Sequence, residues 1–505
     1  MRKLGARLGS SKASTKLLYL LALLNLVSIG FQFNIPTGIE TLGLRFISPY
    51  KLLLPLLSVI LFLHVFREPQ DLWRTGLLGR VASAFVLVQL VSAVASGMQL
   101  ELNLRRWVWL VAGLMYYLGL VLSITSEKRL QAFLQAYALV GLTVAALGFL
   151  EKYGTPQFDW FFALFRPNVI NPDAEVTVPP ALHTYIGAVL RVNSTLNYGP
   201  IVLTLTALTA MSSYFVSVRQ MGEASRKPWR NAVLWLIITM IQVQVMLWNY
   251  SRSVIIALFM GSGVLTALHM IAGKYSNPQG FRHHVWWTAL PLVVLCVLLS
   301  ANLFVDLTLK LRVLPGLGNE PILGHIDRSN RRLKLDQLSD QEWRAISKTH
   351  AQEVRKATNS SNHNRIALAR VAIQMLKDHP VLGVGYANFS VQLRTPRYAQ
   401  VFPYVVRGEE PTMMDAHNLF LQTLATSGAI GLVALLAILG SVCALLCKSE
   451  NTGDFELGVW VPGLAGTWVA LVTQSMFGYS LFDPPLMLSF MSLLGFTQAY
   501  VNLRA

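Results

Sequence analysis

Long apolar runs recur along almost the whole chain, most of them about 17–25 residues, the length an α-helix needs to cross a hydrocarbon core ~30 Å thick. They predict twelve spans, at 17–33, 46–66, 76–97, 107–125, 130–150, 198–217, 232–248, 253–273, 285–304, 417–447, 457–477 and 486–500. The expected fold class is therefore all-α: a polytopic membrane protein of about 12 transmembrane helices, with the lipid bilayer as its first partner. Composition argues the same way, because 53% of the 505 residues are hydrophobic and only 13% are charged, a poor match to a soluble globular chain.

The formal charge of +17 would point to nucleic acid in a soluble protein. In a membrane chain it reads instead as Lys and Arg anchors plus a site for an anionic substrate, and no nucleic-acid partner is expected. Met1 to Lys16 is basic and precedes an apolar run, as in a signal peptide, but no small-x-small cleavage pattern follows Phe33, so a retained first helix is expected. The three cysteines, Cys296, Cys443 and Cys447, all lie in apolar runs and imply no disulfide framework.

Short connections carrying Arg67, Arg74, Lys128, Arg129, Arg219, Arg226, Lys227, Arg230, Lys274, Arg282 and Lys448 fall on one side, which the positive-inside rule makes the cytoplasm. Arg45, Arg105 and Arg106 fall on the other side, so the bias is real but mixed. Four regions follow: 1–197, the first helices and an outer cap loop; 198–304, core helices; 305–416, a large outer loop; and 417–505, the last helices. The cap at about 151–197 is rich in Pro and Asn and reads as irregular. Within the large loop, Ser339 to Glu342 forms a capping box for a polar helix reaching about Lys356, and a second helix is expected from Asn362 to Asp378, stopped by Pro380.

Arg191, Arg252, Arg365, His417 and Asn418 all fall on the outer side in this topology. Spans six, eight and ten run inward, so their N-termini point outward, where unpaired N–H groups and the helix dipole favour an anion. Three arginines and three such ends suit a diphosphate, whose oxygens arginine grips bidentately. Each residue also has an ordinary reading: Arg191 and Arg252 as snorkelling anchors, Arg365 as a solvated helix residue, His417 as an interfacial polar group, Asp415 as an N-cap. Gly383-Val384-Gly385 follows a helix and reads as a turn. The other histidines lack metal-ligand spacing, and no Asp-x-Asp pair or Walker-type loop occurs, so no metal and no other cofactor is expected. A transporter would concentrate ionisable groups near the midplane rather than at outer helix ends.

His417-Asn418, continuing through Gln422 to Gly428 and Gly431, resembles the His-Asn signature of the O-antigen ligase and polymerase superfamily. Asn364-Arg365 and the stretch from Asp378 through Pro380, Gly383 and Gly385 to Asn388-Phe389 resemble that family's Arg helix followed by Pro-x-x-Gly-x-Gly. Ser251-Arg252 resembles its Ser-Arg turn, and Arg191 to Asn197 and Gly199 its Arg…Asn-x-x-Gly approach to a helix. Asn364 stands where the family often has Gly.

The resemblance implies a metal-independent, inverting glycosyltransferase in the bacterial inner (cytoplasmic) membrane, with its active site facing the periplasm. The implied donor is a glycan on undecaprenyl diphosphate, and the acceptor a saccharide or glycolipid: lipid A core for a ligase, another lipid-linked glycan for a polymerase. A Ser or Thr on a protein would be the acceptor of an O-oligosaccharyltransferase. Under this reading Arg191, Arg252 and Arg365 bind diphosphate, and His417 is the base, since an ordinary imidazole titrates near ~6.5. Asp415, Asn418 and Asn197 are supporting candidates.

Overall fold

The structure, a computed structural model, describes residues 11–30, 35–36, 46–47, 49–153, 184–186, 189–191, 199–220, 227–248, 252–276, 281–311, 365–400, 415–450, 460–478 and 484–504. Nine long helices come first: α1 (Ser11–Ser28), α2 (Pro49–Arg67), α3 (Gly76–Ala95), α4 (Leu100–Ser123), α5 (Glu127–Tyr153), α6 (Gly199–Arg219), α7 (Lys227–Leu247), α8 (Arg252–Ser276) and α9 (Phe281–Leu311). Three shorter ones follow, α10 (365–378), α11 (Phe389–Leu393) and α12 (Pro396–Ala399). The chain then closes with α13 (Leu419–Glu450), α14 (Trp460–Ser475) and α15 (Pro484–Arg504).

The fold is an all-α polytopic membrane bundle, and each of the twelve predicted spans has its helix. Ten of these are long and apolar enough to cross a membrane; α1 and α14 are the shorter pair. Two small antiparallel ladders interrupt the pattern. β1 (Ile35–Pro36) pairs with β2 (Phe46–Ile47), and β3 (Thr184–Ile186) pairs with β4 (Val189–Arg191), Thr184 opposite Arg191. The second lies inside the cap expected to be irregular. The capping-box helix from Ser339 lies outside the described residues.

Helix order within the bundle follows side-chain size. In lipid, apolar surface does not drive helices together, so close packing of small residues and internal satisfaction of polar groups must. α6 shows this best: 94% of its span is buried, against 17% for α9 at the rim. Its hydroxyls Thr206, Thr209, Ser212, Ser213 and Ser217 each bond a carbonyl one turn back, so burying them leaves no orphan donor. In α9, Pro291 cannot donate to the carbonyl of Trp287, and the Tyr214 hydroxyl of α6 donates to it instead at 2.7 Å. None of the three cysteines forms a disulfide, and all three are exposed on the outside of the bundle.

Glycine sets one close crossing. A Cβ on Gly466 would sit 2.6 Å from the Gly261 carbonyl and 2.7 Å from the Leu265 Cβ, and one on Gly261 would sit 2.9 Å from the Ala470 Cβ. Gly261 thus meets Gly466 and Ala470 while Leu265 meets Gly466, a pattern that makes α8 and α14 antiparallel. Following both helices roughly 14 Å from this crossing brings Arg252, the first residue of α8, level with Met476 at the end of α14.

Candidate functional site

The site is built around a break in α13. At 32 residues this helix is about 48 Å long, some 18 Å more than a hydrocarbon core, so part of it projects beyond the membrane. Its ladder stops at Gly428, which has φ 64° and ψ −164°. Breaking a helix frees backbone groups, and each one left unpaired away from water costs about 1–3 kcal/mol. The turn after α10 supplies the partners. Val384 N–H donates to the Ala425 carbonyl at 3.0 Å and Gly385 N–H to that of Thr426 at 2.9 Å. In return Ala429 N–H donates to the Pro380 carbonyl at 2.9 Å and Ile430 N–H to that of Val381 at 3.4 Å. Gly383, at φ 67°, lies so near the Thr426 backbone that a Cβ would collide with it. The Pro-x-x-Gly-x-Gly segment is therefore the plug that completes a broken helix.

From this plug α10 runs back along the upper part of α13. Its Leu368, Val371, Ala372 and Met375 share a small core with Ala416 and Ala425, separate from the membrane core, and Leu421 packs against it. Arg365, one turn beyond Leu368, is exposed. The lower end of α10 is clipped to α12. Asp378 accepts from the Tyr398 hydroxyl at 2.8 Å and from Gln374 at 3.1 Å, and pairs with Arg397. Burial opposes its charge, but the bonds from Arg397 and Tyr398 outweigh that and hold its carboxyl below the usual range. Burial, with the carboxylate alongside, pushes the Tyr398 phenol up to about 12.

His417 stands just before the N-cap of α13, with φ 48°, a left-handed backbone uncommon outside glycine and found in turns and functional sites. Its neighbours hold it there. Asp415 Oδ1 accepts the His417 backbone N–H at 2.9 Å and lies 3.3 Å from its ring Nδ1. Asn418 is the N-cap, its Oδ1 accepting Leu421 N–H at 2.9 Å, while its Nδ2 donates to the Met476 carbonyl at 3.0 Å. Asp415, which can read as that cap from sequence, instead faces the imidazole. Gln422 reaches back to accept Ala416 N–H at 2.7 Å. The His417 side chain is 47% exposed, and a Cβ on Gly478 would lie 3.9 Å from its Nδ1.

Other candidates stand at the ends of helices or strands. Asn418 touches Met476, and Arg252 starts α8 level with Met476 by the Gly261–Gly466 crossing. Gly199 opens α6, and Arg191 ends β4 a few residues earlier. The N-termini of α6 and α8 and the capped start of α13 are the three expected outward ends. Asn197 lies outside the described residues. Two residues that sequence reading passed over also belong here: Ser92 of α3 and Asn103 of α4, which bond the plug. Asn103 falls between predicted spans 76–97 and 107–125, where a polar residue draws no attention. Arg106, one turn on, lies near the buried Tyr386 of the plug; burial pushes that phenol up and the guanidinium partly offsets it.

Comparison with known families adds one finding: residues 234–436 match the family model described as O-antigen ligase, a stretch that includes Arg252, Arg365 and His417. No curated protein matches the chain.

Proposed function

We propose that this chain, whose residues 234–436 match the O-antigen ligase family model, acts as a member of the O-antigen ligase and polymerase superfamily and transfers a glycan from undecaprenyl diphosphate to a hydroxyl acceptor at the periplasmic face, lipid A core being the acceptor. The observation that carries this reading is His417, whose imidazole has Nδ1 against Asp415 while the ring stands half-exposed at the end where α6, α8 and α13 begin.

In the proposed reaction an acceptor hydroxyl oxygen attacks the anomeric carbon of the donor sugar. The bond from that carbon to the diphosphate oxygen breaks, its electron pair leaves with the diphosphate, and inversion follows because attack and departure are on opposite faces. His417 takes the acceptor's proton at Nε2, the ring nitrogen away from Asp415, whose Oδ1 lies 3.3 Å from Nδ1. Arg191, Arg252 and Arg365 stabilise the departing diphosphate. At an effective dielectric near 20, each such contact at ~4 Å is worth on the order of 4 kcal/mol before desolvation. Asn418 ties the His417 segment to α14 and so fixes where the base stands.

Ligase and polymerase share this chemistry and differ in acceptor. Purified protein given an undecaprenyl-diphosphate-linked glycan together with lipid A core distinguishes them. Glycan on the lipid A core is the expected result. Lengthening of the lipid-linked glycan alone would make the protein a polymerase.

A further inference from the structure

The plug that completes α13 is itself gripped from outside the matched domain. Asn103 and Asn388 are both fully buried. Asn103 Nδ2 donates to Asn388 Oδ1 at 3.0 Å, and Asn103 Oδ1 accepts Ala387 N–H at 2.7 Å. Asn388 Nδ2 donates to the Val384 carbonyl at 3.0 Å and to Ser96 Oγ at 3.2 Å, so both carboxamides are spent within the α3–α4 hairpin and the plug. The Ser92 hydroxyl lies 2.8 Å from the Leu382 carbonyl and 2.7 Å from the Thr426 carbonyl, touching plug and broken helix at once. Gln89 of α3 bonds Ser427 beside the break.

We propose that the α3–α4 hairpin is a positioning element of the transfer site, with Asn103 and Ser92 as its positioning residues. This rests on the transfer reading above. Among the described residues, the hydrogen bonds of the hairpin reach the plug and α13 rather than His417 or Arg365. It fixes the plug, the plug joins α10 to α13, and the distance between Arg365 and His417 follows from that joint. A buried amide pair of this kind is directional, so it sets one register where apolar packing would tolerate several. Losing it therefore acts on geometry, and a base displaced by about 1 Å can cost on the order of 100-fold in rate.

The test uses the full-length protein with Asn103→Ala, Asn388→Ala, the double variant and Ser92→Ala. Two readouts are taken: kcat and KM for transfer from the lipid-linked glycan, and hydrogen exchange at the 380–388 amides. The single Asn variants should exchange faster in the plug and lose roughly 10- to 100-fold in kcat with donor KM within about threefold. The double variant should resemble each single one, because both remove the same pair. Ser92→Ala removes one hydroxyl, so it keeps the test decisive if an Asn variant does not fold, and it should lower kcat in the same pattern. Retained kcat alongside faster exchange overturns the proposal, as do losses that multiply in the double variant. Wild-type protein that transfers no glycan would instead sink the functional reading, while exchange would still report on the hairpin's grip.

Discussion

In the proposed reaction His417 and Arg365 divide the chemistry between proton transfer and charge stabilisation, so their variants should fail differently. His417→Ala should abolish transfer, a loss of at least ~100-fold, with donor affinity nearly intact, measured by transfer and by binding of the lipid-linked glycan. Arg365→Lys and Arg252→Lys keep the charge but lose the two-pronged donor, so transfer should fall by about tenfold or more while expression stays at the wild-type level. Normal donor binding by Arg365→Ala would make Arg365 a structural residue of α10. Gly428→Ala tests the break alone. A side chain there meets a left-handed backbone and collides with the Val381 carbonyl, so unfolding should occur several degrees lower, read by thermal denaturation in detergent.

At the scale of elements, the α8–α14 crossing sets the height of Arg252 beside the His417 segment. Gly466→Leu should push these helices apart, costing about 1–3 kcal/mol of stability and lowering transfer although the residue lies roughly 14 Å below the site. Unchanged stability and activity would mean that the crossing does not position Arg252. What sequence disclosed at this scale follows from periodicity and length. The twelve helices were legible because an apolar run of ~20 residues has few alternatives in lipid. The break in α13 was not, since Gly428 sits inside a single predicted span and its partners lie in the turn at 380–385. Of the site, His417, Asn418 and the plug were legible through motif resemblance. Asp415 was legible as an N-cap or a supporting candidate, and Ser92 and Asn103 went unseen because contacts across some 290 residues leave no local trace.

For the whole molecule, the account needs Arg191, Arg252, Arg365 and His417 on one side of one membrane. With the native cysteines replaced, single cysteines near 160, 330 and 400 should label with an impermeant thiol reagent in intact spheroplasts, and those near 222 and 452 should not. The reverse pattern would invert the topology and dissolve the shared site. The most direct test of the central claim is glycan transfer by the purified protein, wild type and His417→Ala, in excess chelator and without nucleotide. Arginine's permanent charge is assigned the part that a cation takes in other diphosphate leaving groups, and the sugar–diphosphate bond supplies the energy. The account predicts glycan on the acceptor with wild type and none with His417→Ala. Near-normal transfer by His417→Ala, activity restored only by magnesium or manganese, or a requirement for ATP would contradict it.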